Sequence, residues 1–343
     1  MADIVEKGEG AIALSPTNID SNCLTYEKDN TYISTYKYEE SPEIKIFAGD
    51  IIFVKTGSTV GKVAFIDNII DRTTLNPQLV VLKQVKCNPY FLYLLMAAPC
   101  FQKHIKRITV GGAVPTLSQN EMGRIGITLP PNAEQDRISA LFKLLNYRIE
   151  TQKKIIEDLK KLKYAISKRI FENHGNSNSI LLGKVADIYQ PQTIPTSWFN
   201  NTLPYPVYGA NGMIGKYSEY NHENSQICIA CRGNTCGTVN YSEPKSWITG
   251  NAMVINTDRY YINKRFLFHQ LCIANFTPLI SGSGQPQIVR APLKKMKIWF
   301  PDGGVQKRIA ILLDALEDRI LIEETVLGLI SKKKQYLLSQ MFM

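Results

Sequence analysis

Residues Ile51 to Phe65 read IIFVKTGSTVGKVAF, and residues Ile227 to Tyr241 read ICIACRGNTCGTVNY. At an offset of 176, Ile51 falls on Ile227, Gly57 on Gly233, Thr59 on Thr235, Gly61 on Gly237 and Val63 on Val239. Each stretch predicts a β-hairpin, because β-branched and apolar residues flank a short turn bounded by glycines. One hairpin met twice predicts a duplicated domain, and the surrounding sequence extends the match.

Downstream, NPYFL (Asn88 to Leu92) meets NKRFL (Asn263 to Leu267), each an N-cap followed by an amphipathic helix. The glycine-rich GGAVPTLS (Gly111 to Ser118) meets GSGQPQIV (Gly282 to Val289), with Pro115 on Pro286. At an offset of 171, Pro130, Gln135, Arg137 and Ile138 fall on Pro301, Gln306, Arg308 and Ile309. A unit of about 170 residues is too long for a solenoid repeat. Each copy is β-rich first and then a single long helix. Glu134 to Phe171 contains neither Gly nor Pro, and Val305 to Phe342 is interrupted only by Gly328. At 1.5 Å per residue such helices span roughly 57 Å. Ile138, Leu141, Leu145, Ile149, Ile156, Leu159 and Ile166 form an apolar register that recurs as Ile309, Leu312, Leu316, Ile320, Leu327, Ile330 and Leu337. A stripe this long and narrow, with lysines outside it, predicts that the two helices pair as a coiled coil. The fold class expected is α+β.

The 343 residues carry 40 Lys plus Arg against 30 Asp plus Glu, a net charge of +10 that favours a polyanionic partner, most often nucleic acid. Seven cysteines without a secretory leader point to reduced thiols and a cytoplasmic protein. No apolar run approaches the roughly 18 residues of a membrane span.

Catalytic motifs are nearly matched and then fail. Gly57 to Val63 approaches a phosphate-binding loop, but it is one residue short between the glycines and has Val63 where a Ser or Thr must hold Mg²⁺. Asn88-Pro89-Tyr90-Phe91 lacks the second proline of an amino-methyltransferase loop. Cys228, Cys231 and Cys236 have no fourth ligand nearby, and the other copy has Ile52, Lys55 and Val60 in their places. His104, His174, His222 and His269 make no catalytic or zinc spacing. We therefore expect no catalytic residue, no bound metal and no cofactor of the chain's own.

The ordered set of motifs resembles the target recognition domains of type I restriction–modification specificity subunits. The second copy carries it in Pro206-Val207-Tyr208-Gly209-Ala210-Asn211-Gly212-Met213-Ile214-Gly215, the Arg232-Gly233 turn, Gly282 to Pro286, Pro301 and Val305-Gln306-Lys307-Arg308-Ile309-Ala310. The first carries it in Gly49-Asp50-Ile51, the Gly57/Gly61 turn, Leu129-Pro130-Pro131 and Glu134 to Ile138. Two departures stand out. Val305 occupies a position where the family favours Glu. The second copy opens with LLGKVADI (Leu181 to Ile188), whereas the first has no such segment near residue 5, where VEKGEG stands. The resemblance implies target recognition domains at 1–133 and 180–304 and spacer helices at 134–173 and 305–343, the helices pairing antiparallel. It implies a non-catalytic subunit that reads two half-sites in double-stranded DNA. Methyltransferase subunits, using adenosylmethionine, and restriction subunits, using ATP and Mg²⁺, would dock on it.

Phosphate positioning and base reading call for Lys, Arg, Ser, Thr, Asn and Gln on exposed loops. The hairpin turns offer Lys55, Thr56, Ser58, Thr59 and Lys62 in the first copy, and Arg232, Asn234, Thr235 and Thr238 in the second. The glycine-rich loops add Thr116, Ser118, Ser283, Gln285, Gln287 and Arg290. The alternatives are a self-contained DNA methyltransferase or nuclease, which the missing motifs disfavour, and a coiled-coil scaffold that joins proteins without DNA.

Overall fold

A computed structural model describes residues 4–20, 22–26, 30–69, 71–109, 114–172, 178–282 and 284–342. It divides into two compact units, one made of residues 1–152 with 326–343 and the other of residues 153–325. Among the described residues no helix is long and apolar enough to cross a membrane.

In the second unit an antiparallel sheet runs Asp187–Tyr189, Ala252–Asn256, Ile227–Ala230, Val239–Tyr241. Ile227–Ala230 is buried on both faces, which explains its unbroken apolar sequence. Alternation along the strand sends Ile227 and Ile229 to a core with Ile188, Met253, Ile255 and the helical residues Leu267, Phe268 and Leu271. Cys228 and Val254 point to the other face, against Tyr208 and Ile248. Those two belong to a second sheet, Gly212–Tyr217, Tyr205–Gly209, Trp247–Ile248, whose last pair is parallel. Cys228 and Cys231 thus lie in two different cores, the first with its thiol pushed up to about 12 by burial.

The first unit repeats this plan. Val63–Phe65, Ile51–Val54 and Leu79–Leu82 form an antiparallel sheet, again with its central strand buried on both faces. A second sheet runs Ile4–Val5, Thr31–Ile33, Ala11–Leu14, Thr73–Leu75, with the last pair parallel. The repeat reaches single hydrogen bonds. Val54 N donates to Lys62 O at 2.9 Å and Gly61 N to Val54 O at 3.0 Å; Ala230 N donates to Thr238 O and Gly237 N to Ala230 O, both at 2.8 Å. The phosphate-loop lookalike is therefore a hairpin turn. It closes through Gly57 and Gly61, whose φ of +107° and +99° a side chain rarely adopts.

Asn132–Glu172 and Gly303–Met341 are single helices of 41 and 39 residues. Each begins in a glutamine clamp. The Gln135 side chain accepts from Asn88 N at 2.9 Å and donates to Pro130 O at 2.8 Å; Gln306 accepts from Asn263 N at 2.9 Å and donates to Pro301 O at 2.8 Å. Both amides are buried, so every bond they make replaces one to water.

Burial along the helices departs from the expected register at one seat. Leu141 and Leu312 are 39% and 48% exposed, while Phe142 and Leu313 are 0% exposed. With that seat moved, Ile138, Phe142, Leu145 and Ile149 follow the alternating steps of four and three residues that a heptad requires. The seat that the apolar pattern skipped, between Ile149 and Ile156, holds the buried Gln152, and its counterpart in the second helix is the buried Glu323. In the second unit Lys160 pairs with Glu324 at 2.7 Å and Lys163 with Glu317 at 2.9 Å.

Candidate nucleic-acid interface

In each unit the hairpin turn is bonded to the glycine-rich loop. Leu117 N donates to Lys55 O at 2.8 Å, Gly57 N donates to Pro115 O at 3.0 Å, and Thr56 bridges Thr116. The second unit repeats all three: Ile288 N to Cys231 O at 3.0 Å, Gly233 N to Pro286 O at 3.0 Å, and Arg232 bridging Gln287. Two loops far apart in sequence are thereby fixed as one surface at the end of the central sheet.

A third loop, not singled out in the sequence, joins them. Lys55 N donates to Gln78 O at 2.9 Å, and Cys231 N donates to Asn251 O at 3.2 Å. Gln78 and Asn251 each expose an amide at the start of a strand, and the Gln78 amide lies 3.8 Å from where a Cβ on Gly57 would stand. Amides of this kind can bond adenine in two places at once. The signal was available: NPQLVV (Asn76 to Val81) and GNAMVI (Gly250 to Ile255) occupy the same place in the two copies.

The anticipated residues fall into two groups. Ser58, Arg232, Asn234, Thr238, Gln285, Gln287 and Arg290 are exposed, and Lys55, Thr56 and Thr59 are half-buried on the same turns. Thr235 is half-buried within its turn, its carbonyl accepting from Thr238 N at 2.9 Å. Others are committed to the fold. Lys62 Nζ donates to Ile19 O at 3.1 Å. Ser118 caps the helix Gln119–Gly123, accepting from Glu121 N at 3.1 Å and donating to Glu121 Oε2 at 2.7 Å. Thr116 Oγ1 donates to Val114 O at 3.3 Å. Ser283 lies outside the described residues.

The second unit also carries an aromatic face. Trp198 stacks on Tyr217 with ring centres 5.9 Å apart, Tyr217 meets Trp247 edge-on at 5.4 Å, and the adjoining hairpin exposes Met213 and Ile214. Tyr189 stacks on His222 and bonds its Nε2 at 2.8 Å; burial holds this imidazole below its ordinary pKa.

Among the described residues, His269, Asp314 and Glu317 bring three ligand-type atoms close together. Arg265 occupies the same cluster, its Nε donating to Asp314 Oδ1 at 2.7 Å and its Nη2 to Glu317 Oε2 at 3.1 Å. The acids are already matched by a fixed cation, so this is an ionic joint between the helix Lys264–Cys272 and the long helix.

Residues 6–161 and 176–331 both match the family model of the type I restriction modification DNA specificity domain. The putative type I restriction enzyme MjaX specificity subunit of Methanocaldococcus jannaschii is 25% identical over 95% of this chain and 84% of its own length. The putative specificity subunit S.HindORF215P of Haemophilus influenzae is 32% identical, over 32% of this chain and 29% of that protein. Among solved structures, the S subunit of the type I system from M. genitalium superimposes with a TM-score of 0.64 at 16% identity, covering 99% of this chain and 94% of that one. A chain from a study of complex assembly and conformational transition of a type I system gives 0.59 at 19% identity, over 95% and 90%. Two family matches that together span most of the chain, on a fold shared with an S subunit, establish that this protein belongs to the type I restriction–modification DNA specificity family and carries its domain twice.

Proposed function

We propose that each unit reads one half of a bipartite target in double-stranded DNA, through the three-loop surface at the end of its central sheet. The observation that carries this reading is the recurrence of that surface. The same three backbone bonds hold it in both units, and each copy presents exposed amides and hydroxyls, with Arg232 and Arg290 in the second. Cations bind phosphates and amides bond base edges. In this reading target recognition domains occupy residues 1–133 and 180–304. Residues 134–173 and 305–343 form the spacer, pairing as an antiparallel coiled coil that sets the distance between half-sites. The heptad spacing of buried residues and the ion pairs of Lys160 with Glu324 and Lys163 with Glu317 support that pairing.

The chain supplies address and geometry. Methyltransferase and restriction subunits would bring adenosylmethionine, ATP and Mg²⁺, in the cytoplasm where the DNA is. The test replaces Tyr189 to Trp299 with the matching region of a relative and sequences the methylated sites in cells that carry the methyltransferase partner. One half of the methylated sequence should change while the other half and the spacing persist. A changed spacing with unchanged bases would reverse the assignment of parts.

A further inference from the structure

In the second unit residues 178–189 occupy two sheet edges in one pass. Ser179–Leu181 pairs antiparallel with Lys297–Trp299. Phe300 N donates to Asn178 O and Leu182 N to Met296 O, both at 2.8 Å, at the two ends of this ladder. The chain then turns at Leu182–Lys184, where a Cβ on Gly183 would stand 2.9 Å from the Cβ of Lys294. Asp187–Tyr189 finally pairs with Ala252–Asn256 along its outer edge. Leu182, Val185 and Ile188 are all buried in the unit's main core.

The first unit has all three receiving surfaces, and each is open. By the repeat, Gly126–Thr128 stands for Lys297–Trp299, Gly123 for Lys294, and Val81–Lys83 for Val254–Asn256. Among the described residues, Gly126–Leu129 makes no strand and no backbone hydrogen bond. Leu129 N and Ile125 O, the counterparts of Phe300 N and Met296 O, are unpaired there. Ile127 is 40% exposed where Ile298 is 2% exposed. Around Gly123 there is open space, and Leu79–Leu82 is the edge of its sheet. A groove of about 840 Å³ runs beside Gly126–Leu129, walled by Phe91, Leu95, Phe101, Ile138 and Phe342.

We propose that this double edge is a docking seat for a strand donated by another polypeptide. The donated segment has the chemistry of Ser179–Tyr189: an extended apolar run antiparallel to Gly126–Leu129, a turn, and a second apolar strand laid along Leu79–Leu82. The argument rests on the repeat and does not depend on DNA reading. An exposed apolar edge with free N–H and C=O groups is a template for a further strand, with the backbone supplying affinity and the alternate side chains specificity. The second unit identifies what fits. The two open edges lie where one continuous segment of about a dozen residues crosses both in the other copy. The turn is less constrained than in the second unit, because Gly123 replaces Lys294 and leaves room for a side chain.

The test uses the full chain and a synthetic peptide of residues 178–189, NSILLGKVADIY. Hydrogen exchange at Ile127, Leu129 and residues 81–83 should slow at least ~10-fold, and saturably, when the peptide is added. A peptide with Leu182→Asp and Ile188→Asp should protect nothing. Leu129→Pro, which removes one free donor from an exposed position, should weaken the native peptide about tenfold without altering exchange in Ile51–Val54. The idea is overturned by absence of protection at saturating peptide in chain that keeps Ile51–Val54 protected. It is equally overturned if both edges already exchange slowly in the chain alone, which would mean the chain fills its own seat. Protection that grows only with chain concentration would make a second copy the occupant and would also overturn it.

Discussion

The joint between recognition module and long helix is built twice, with opposite chemistry. In the first unit Tyr90 OH accepts from Asn146 Nδ2 at 2.7 Å, and Lys143 Nζ sits 4.9 Å over the Tyr90 ring. At the same places the second unit has Arg265, Glu317 and Asp314, joined by His269 in place of Leu94. Burial pushes the Asp314 carboxyl up, but the hydrogen bonds from Arg265 and His269 prevail and hold it below its ordinary value. Burial keeps the His269 imidazole low. Below both joints the glutamine clamps are the same in partners and distances. The backbone frame is thus conserved between copies, while the side chains that weld module to helix have diverged.

This contrast can be broken most sharply at Asp314. Asp314→Ala leaves Arg265 and His269 without their shared acceptor and should cost about 2–3 kcal/mol, below the usual figure for a broken buried pair because Asp314 is partly exposed. Hydrogen exchange in Lys264–Cys272 should report the loss, with the first unit unchanged. Next come the clamps, where the units should behave alike. Gln135→Ala and Gln306→Ala each strip a buried amide from two backbone partners and should cost about 1–3 kcal/mol apiece, read from unfolding curves. A marked inequality would mean that one clamp is not bearing on its joint. Asn146→Ala, the first unit's answer to Asp314→Ala, removes one neutral bond and should cost about 1 kcal/mol.

Acid should separate the units as well. His222 and His269 both lie in the second unit, and both are held low by burial. The unfolded chain takes up their protons first, so the stability tied to neutral imidazoles is present above about pH 6.5 and is lost as the pH falls below it. The carboxylate of Asp314 adds a second loss, beginning below about pH 4. The second unit should therefore loosen before the first between pH 6.5 and 5, as seen by tryptophan fluorescence, since Trp198, Trp247 and Trp299 all belong to it. The smallest effect is expected at Lys160→Ala, which breaks an exposed pair with Glu324 and should cost under about 0.5 kcal/mol.

The duplication was legible because backbone-dictated features survive divergence. The turn glycines need positive φ, the N-cap asparagines need a short acceptor, and the clamp glutamines need two partners, so each left a mark at a constant offset. The long helices were legible from composition. One seat was misjudged because Leu141 and Leu312 are apolar yet exposed, and a leucine beside a phenylalanine carries no sign of which one faces the seam. The site was half legible. Its turns were found, but Gln78 and Asn251 were missed because each looks like the first polar residue of an ordinary strand. Lys62 and Ser118 have the chemistry of DNA contacts, yet their partners at Ile19 and Glu121 appear only in three dimensions. The ionic joint was invisible, since its members are separated by about fifty residues and the other copy replaces every one of them.

The split of each joint across two segments has a practical consequence for exchanging modules. Arg265 and His269 travel with the strand-rich part, whereas Asp314 and Glu317 stay behind on the helix. A graft cut at the clamp will therefore inherit a compatible frame from any donor but only half of its weld. Placing the first unit's aromatic half against the second helix would set Tyr90 and Leu94 beside two orphaned carboxylates. Recombinants should be recovered most readily when the breakpoint lies beyond Glu317, one further turn and a half of helix into the spacer, so that both halves of the weld move as one.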